Sequence, residues 1–224
     1  MATKVSMEGL VEIASHEGIV NAPYLDSVSV WTVGIGHTAS AGPPDPAVKR
    51  GEYTMTEIMD IFADDIEQFE ASVRRAFTVP LKQHEFDAAA SFAFNTGAIE
   101  RATWVKKWNA GDRVGARKSF MDWRKPPEII PRRRKERDLF FDGIYSNDGK
   151  ATLWPANSAG KVLWDRGRRV DIRALMNQEN SPPPRPTPPT PTPKPTPSKA
   201  GLAAVIVAIA GAVAAFWDKL TGLF

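Results

Sequence analysis

Residues 17–37 read EGIVNAPYLDSVSVWTVGIGH, and the spacing inside this stretch decides how the rest of the chain is read. Eight residues separate Glu17 from Asp26, five separate Asp26 from Thr32, and Val33-Gly34-Ile35-Gly36-His37 follows at once. Upstream, Met7, Leu10, Val11 and Ala14 recur at helical spacing and Gly18 supplies a C-terminal cap, so a helix is predicted to end near Glu17. Over 24–35 the composition turns β-rich. Trp31, Val33 and Ile35 alternate with Thr32, Gly34 and Gly36, which predicts a hairpin with one bare, glycine-lined face that admits a ligand closely.

Two acids thus fall in different settings. Glycoside hydrolysis requires a protonated carboxyl on the leaving oxygen and a second carboxylate serving the opposite face of the sugar. Free carbonyls at a helix C-terminus and apolar neighbours disfavour an anion, the setting a proton donor needs, and that is where Glu17 is expected. Asp26 lies on a polar, partly solvated hairpin that suits a carboxylate, and the Thr32 hydroxyl is placed to hold a water. Taken alone the three residues are a weak signal, because surface Glu, Asp and Thr are common.

The wider pattern strengthens it. After the first motif come Phe86-Asp87-Ala88, then Ser91-Phe92-Ala93-Phe94-Asn95-Thr96-Gly97, Trp108-Asn109-Ala110-Gly111-Asp112, and Pro131-Arg132-Arg133-Arg134-Lys135-Glu136-Arg137-Asp138-Leu139-Phe140. Over roughly residues 5–141 the chain resembles the phage lysozymes of glycoside hydrolase family 24. The resemblance implies a lysozyme-like α+β fold and a muramidase with no cofactor. It implies Glu17 as proton donor, with Asp26 and Thr32 positioning and activating the water that cleaves between N-acetylmuramic acid and N-acetylglucosamine.

The remaining elements fit that frame. Thr54 and Glu57 form a capping box ahead of a single apolar stripe, Ile58, Ile61, Phe62, Ile66, Phe69, Val73 and Phe77, whose role is core. Further helices are predicted near 81–94, 101–109, 112–123 and 131–141, giving a small hairpin region beside a mainly helical lobe. Gly34, Gly36 and Asn95 are candidate substrate-binding residues, Asn95 either donating to a sugar acetamido group or capping the following turn. His37 is expected to make a structural hydrogen bond or ion pair, and histidines at 16, 37 and 84 have no metal-ligand spacing, so no metal is expected. Arg132, Arg133 and Arg134 point in different directions on a helix and read as solvated or core-bridging rather than as a specific nucleic-acid site.

Composition bounds the rest. The 224 residues contain no cysteine, which excludes disulfides, thiolate metal sites and a cysteine nucleophile, and the net charge of +3 favours polyanionic neighbours such as wall polymers. Residues 1–10 lack the apolar run of a secretory signal. Domain 1–180 is expected to be catalytic, its extension 142–180 forming a hairpin or helix over the helical lobe or a surface for wall or lipid. Residues 181–199 form a proline-rich linker about 50 Å long, at roughly 3 Å per residue. The uncharged run 200–217 would rise about 27 Å, enough for a transmembrane or membrane-inserted helix, with 218–224 as a short tail. Arg185, Lys194 and Lys199 before the run, against Lys219 after it, favour anchoring in the host inner membrane with the enzyme cytoplasmic until lysis, and the chain is expected to be a monomer. A holin is then the expected releasing partner and peptidoglycan glycan strands the substrate. The competing expectation is a non-hydrolytic, membrane-anchored wall-binding protein, against which the intact Glu17, Asp26 and Thr32 argue.

Overall fold

The structure, a computed structural model, describes residues 2–146 and 148–180. The linker 181–199 and the apolar run 200–217 lie outside the described residues, and among the described residues no helix is long and apolar enough to cross a membrane.

The first helix, α1 (Met7–Glu17), starts where the Ser6 hydroxyl accepts the Gly9 amide and buries Leu10, Val11, Ile13 and Ala14. Gly18 stops it at φ +82°, its amide bonding back to Ala14, and β1 (Ile19–Leu25) leaves at once. The turn after β1 returns the chain as β2 (Trp31–Gly34), which pairs antiparallel with β1, and a short β3 (His37–Thr38) pairs on the far side. The predicted hairpin is therefore present. The Thr54–Glu57 capping box also forms and begins α2 (Met55–Ala76), whose Ile58, Phe62, Ile66 and Val73 are buried as the stripe required.

The helical lobe is built on α3 (Gln83–Thr96), whose residues from Glu85 to Ala93 are all buried. Around it stand α4 (Thr103–Asn109), α5 (Arg113–Phe120) and α6 (Ile130–Asp142). Aromatic rings hold this lobe: Trp104 lies 4.7 Å from Phe120, 4.9 Å from Phe140 and 5.3 Å from Phe92 between ring centroids, distances at which edge and tilted contacts are favourable. A second core joins α1 and α2 to the inner face of the sheet through Ile13, Ile19, Val33, Ile58 and Phe62.

Residues 142–180 supply the added hairpin and helix, but place them on the sheet rather than over the helical lobe, whose apolar core Tyr145 alone among the described residues of this segment packs against. They form β4 (Lys150–Trp154), β5 (Arg168–Asp171) and α7 (Ile172–Glu179), and enlarge the hairpin to a five-stranded sheet of order β3-β2-β1-β4-β5. β4 runs parallel to β1, so the two are joined through the whole helical lobe, and no local pattern in a sequence announces such a partner. Ala151, Leu153, Val170 and Ile172 complete the sheet-side core. The Glu179 carboxylate accepts from the Met55 amide at 2.7 Å and the Thr56 amide at 2.8 Å, so α7 also caps the start of α2.

Candidate active site

The end of α1, the sheet and α2 together line a cleft of about 380 Å³, whose residues include Glu17, Tyr24, Gly34, Gly36, Asp65 and Gln68. One row of the sheet crosses it. Gly34 on β2 opposes Val20 on β1, Val20 opposes Trp154 on β4, and all three line the cleft. Side chains alternate along a strand, so Val33, Ile19 and Leu153 in the intervening positions point into the core instead.

Glu17 ends α1 at the cleft wall with 31% of its side chain exposed. Its surroundings are not the apolar ones expected: Arg132 Nη1 on α6 donates to Glu17 Oε1, while Arg132 Nε donates to Glu136 at 2.9 Å. Burial opposes the charge of Arg132, but the Glu136 and Glu17 carboxylates outweigh it and raise its pKa. Arg133 is also buried. It donates to Glu136, to the Trp123 carbonyl at 2.9 Å and to Asn95 Oδ1 at 2.6 Å, and its guanidinium lies 4.5 Å from the Phe92 ring centre. The reading of these arginines as bridges is thus correct for 132 and 133, whereas Arg134 is exposed. That Arg132 would reach Glu17, 115 positions away, carries no sequence signal, although its i,i+4 relation to Glu136 does.

Asp26 and Thr32 are not in the cleft lining. Asp26 Oδ1 accepts the amides of Val28 at 2.9 Å and Val30 at 2.8 Å, which pins the β1–β2 turn. Tyr24, two residues earlier, does line the cleft, and burial first, then the Asp26 charge, push its hydroxyl above the usual pKa. Thr32 opposes Tyr24 across the strands and is buried, its hydroxyl donating to the Val30 carbonyl at 3.1 Å. The oxygen of that hydroxyl still accepts.

Gly34 and Gly36 both line the cleft, but for Gly34 the need for glycine is structural. Its φ is +64°, and a Cβ there would come 3.2 Å from Ile58 of α2. Around Gly36 a Cβ would meet nothing within 4 Å. Asn95 does not cap its turn. Thr96 does that, accepting the Ala98 amide at 3.2 Å, and the Asn95 carbonyl oxygen instead ties α3 to Arg133. His37 is structural as expected: Nδ1 lies 3.0 Å from Asp65 and Nε2 2.9 Å from the Pro44 carbonyl oxygen. Burial raises the Asp65 pKa against the opposing pull of His37. Among the described residues no cluster of His, Cys, Asp and Glu is arranged to hold a metal ion.

With this geometry in place, comparison with known proteins is informative. The phage lysozyme family model matches residues 14–137, more than half of the chain and including Glu17, Asp26, Thr32 and Arg132. The chain belongs to the phage lysozyme family. Within that family it is 34% identical to an endolysin of Acyrthosiphon pisum secondary endosymbiont phage 1, over 61% of this chain and 97% of that protein. It is 38% identical to the SAR-endolysin of Escherichia phage Mu, over 48% of this chain and 60% of that protein. A crystal structure of a P22 lysozyme mutant shares the lysozyme fold with a TM-score of 0.56 and 28% identity, covering 62% of this chain and 99% of that one. The family match ends before α6 does, so β4, β5 and α7, with Trp154 and Trp164 in the cleft wall, lie beyond it. Sequence reasoning left these tryptophans without a role, although the alternation in Lys150–Trp154 already marks a strand with Trp154 facing away from Ala151 and Leu153.

Proposed function

We propose that this chain is an endolysin muramidase that hydrolyses the β-1,4 bond between N-acetylmuramic acid and N-acetylglucosamine in peptidoglycan and so lyses the host cell. The observation that carries this reading is Glu17, presented at the end of α1 into a cleft that the glycine-bearing strand β2 also lines. Glu17 acts as the general acid on the leaving oxygen. Asp26 and Thr32 do not themselves line the cleft but flank Tyr24, which does, on the β1–β2 hairpin, and from there they are assigned to position and activate the water.

Arg132 bonds Glu136 as well as Glu17, so Glu136 keeps hold of the guanidinium when an entering sugar displaces it from Glu17. Direct attack by water inverts the anomeric centre, which requires a carboxyl separation of about 6.5–9.5 Å with room for the water. The endolysin name of two relatives supports the wall as target. The apolar run 200–217 anchors the chain in the inner membrane, and the enzyme stays cytoplasmic until a holin or loss of the membrane admits it to the wall.

Two experiments test this. Purified peptidoglycan treated with the full chain gains reducing ends, whereas a non-hydrolytic wall-binding protein sediments with the wall and releases none. Fractionation of cells making the full chain and a variant ending at Ser198 finds the first in the membrane and the second soluble. Equal solubility of both overturns the anchor and leaves the enzymatic reading intact.

A further inference from the structure

Two tryptophans enter the cleft from the part of the chain that the family match does not reach. Trp154 closes the sheet row Gly34-Val20-Trp154, on the opposite side of β1 from β2. Its six-membered ring lies so close to Gly18, directly after Glu17, that a Cβ there would come within 2.5 Å of it. Trp164 meets Trp154 edge-on, with centroids 5.4 Å apart and planes at 70°, so the pair forms an angled aromatic wall. Trp164 is 66% exposed, although it sits on a well-formed 3-10 turn, Trp164–Arg166, and both rings border the same cleft as Glu17.

A tryptophan serving only to fill the core does not leave most of its surface in water. The rest of this cleft explains what such a surface fits. The Asp65 carboxylate and the Gln68 amide line the same cleft as the indoles, so the space offers hydrogen-bonding groups as well as aromatic ones. A pyranose ring has the matching two-sided chemistry: its axial C–H groups present a weakly positive apolar face suited to the negative face of an indole, and its equatorial hydroxyl and acetamido groups hydrogen-bond around the rim.

We propose that Trp154 and Trp164 form an added sugar-binding subsite, which stacks an N-acetylated hexopyranose of the glycan strand adjacent to the ring being cleaved at Glu17. The identity of the sugar rests on the muramidase reading, while the site itself rests on the two indoles and the polar side chains that line the same cleft. The subsite lengthens the glycan grip on the β4 side of the cleft. It touches no reacting bond, so it acts on binding and leaves the chemical step alone.

The test uses the full chain and Trp164→Ala, a change at an exposed ring that spares the core, with Trp164→Phe as the variant that keeps an aromatic face. Calorimetric titration with soluble, N-acetylated glycan strands and with a β-1,4-N-acetylglucosamine tetramer reads binding directly. Reducing-end release from peptidoglycan reads kcat and KM. Trp164→Ala should weaken glycan binding about 2- to 10-fold, the worth of one aromatic contact, raise KM to the same extent, and leave kcat unchanged, while Trp164→Phe recovers most of the affinity. Unaltered binding of both probes by Trp164→Ala overturns the subsite. A wild-type chain that binds glycan through Trp164 but releases no reducing ends overturns the muramidase reading and leaves the subsite standing. A fall in kcat with unchanged binding also overturns it, since that pattern assigns Trp164 to the reacting geometry.

Discussion

Substitution Glu136→Gln probes the charged joint behind the cleft. Glu136 is 1% exposed, as is its partner Arg133, and Arg132 retains 10% of its side-chain surface. One carboxylate receives both guanidiniums and, at 2.7 Å, the Ser91 hydroxyl of α3. A glutamine keeps the shape and can still bond Ser91, but it leaves Arg133 with no counter-charge and Arg132 with Glu17 alone. Removing one partner from a buried pair costs about 3–5 kcal/mol, because the remaining charge stays out of water. At roughly 2–4 °C per kcal/mol for a domain of this size, the melting temperature should fall by about 6–20 °C. Urea denaturation followed by far-UV circular dichroism gives the free-energy change independently. Adding Arg133→Met should cost less than the sum of the two single changes, since the second removes the charge that the first stranded. Arg132 would also bind Glu17 more exclusively, so lytic activity measured well below the melting point should drop further than stability explains. A Glu136→Gln variant within about 1 kcal/mol of wild type would refute the view that this cluster fastens α6 to α3.

The other predictions are narrower. Glu17→Gln should lower peptidoglycan hydrolysis about 10²- to 10⁴-fold, the usual worth of general acid catalysis, with an unchanged circular dichroism spectrum. Proton NMR during hydrolysis of a soluble glycan should show the inverted anomer first, and a trapped glycosyl-enzyme contradicts the proposed water attack. Glu179→Ala should destabilise by about 1 kcal/mol, the worth of a helix cap, while the Thr54–Glu57 box continues to hold its own amides. The Lys49 hydrogen bond, then the Thr54 amide, depress the Glu57 pKa, and Arg117 does the same for Asp142. Their stabilisation is therefore complete above the ordinary carboxylate range and is lost as pH falls through the depressed folded values; melting temperatures from pH 7 to 3 should show a shallower acid decline in Glu57→Gln than in wild type.

What the sequence made legible was local. The α2 stripe and its capping box, the end of α1 at Gly18, and the core-facing side of β2 follow from periodicity and turn chemistry over a few residues. What it concealed was long-range. Arg132 meets Glu17 and Glu179 meets Met55 across more than a hundred positions, and β4 finds β1 only after the helical lobe has been laid down. Asn95 shows the same limit on a small scale: a residue just before a helix-ending Thr96-Gly97 invites a local capping role, yet its partner is a buried arginine on another helix. Gly34 lines the cleft, while the reason for glycine there, a left-handed backbone under Ile58, depends on how α2 crosses the sheet.

The interlocking of the two ends of the domain bears on the order in which a nascent chain acquires its structure. The contacts of the helical lobe are shorter in range, neighbouring helices for α4 against α5 and 45 positions for Ser91 of α3 to Glu136 of α6, and shorter loops close with less loss of entropy. The sheet is different. Glu12 receives the Ser146 amide and hydroxyl 134 positions away, Leu25 beside Asp26 bonds the Gly160 carbonyl at 2.8 Å, and β1 waits for β4. On a ribosome releasing the chain from its N-terminus, the α1–β2 region that carries Glu17 and Asp26 is made first but gains its last supporting strands only once residues 150–171 have emerged. Translation therefore delays completion of the cleft until nearly all of the domain has been made.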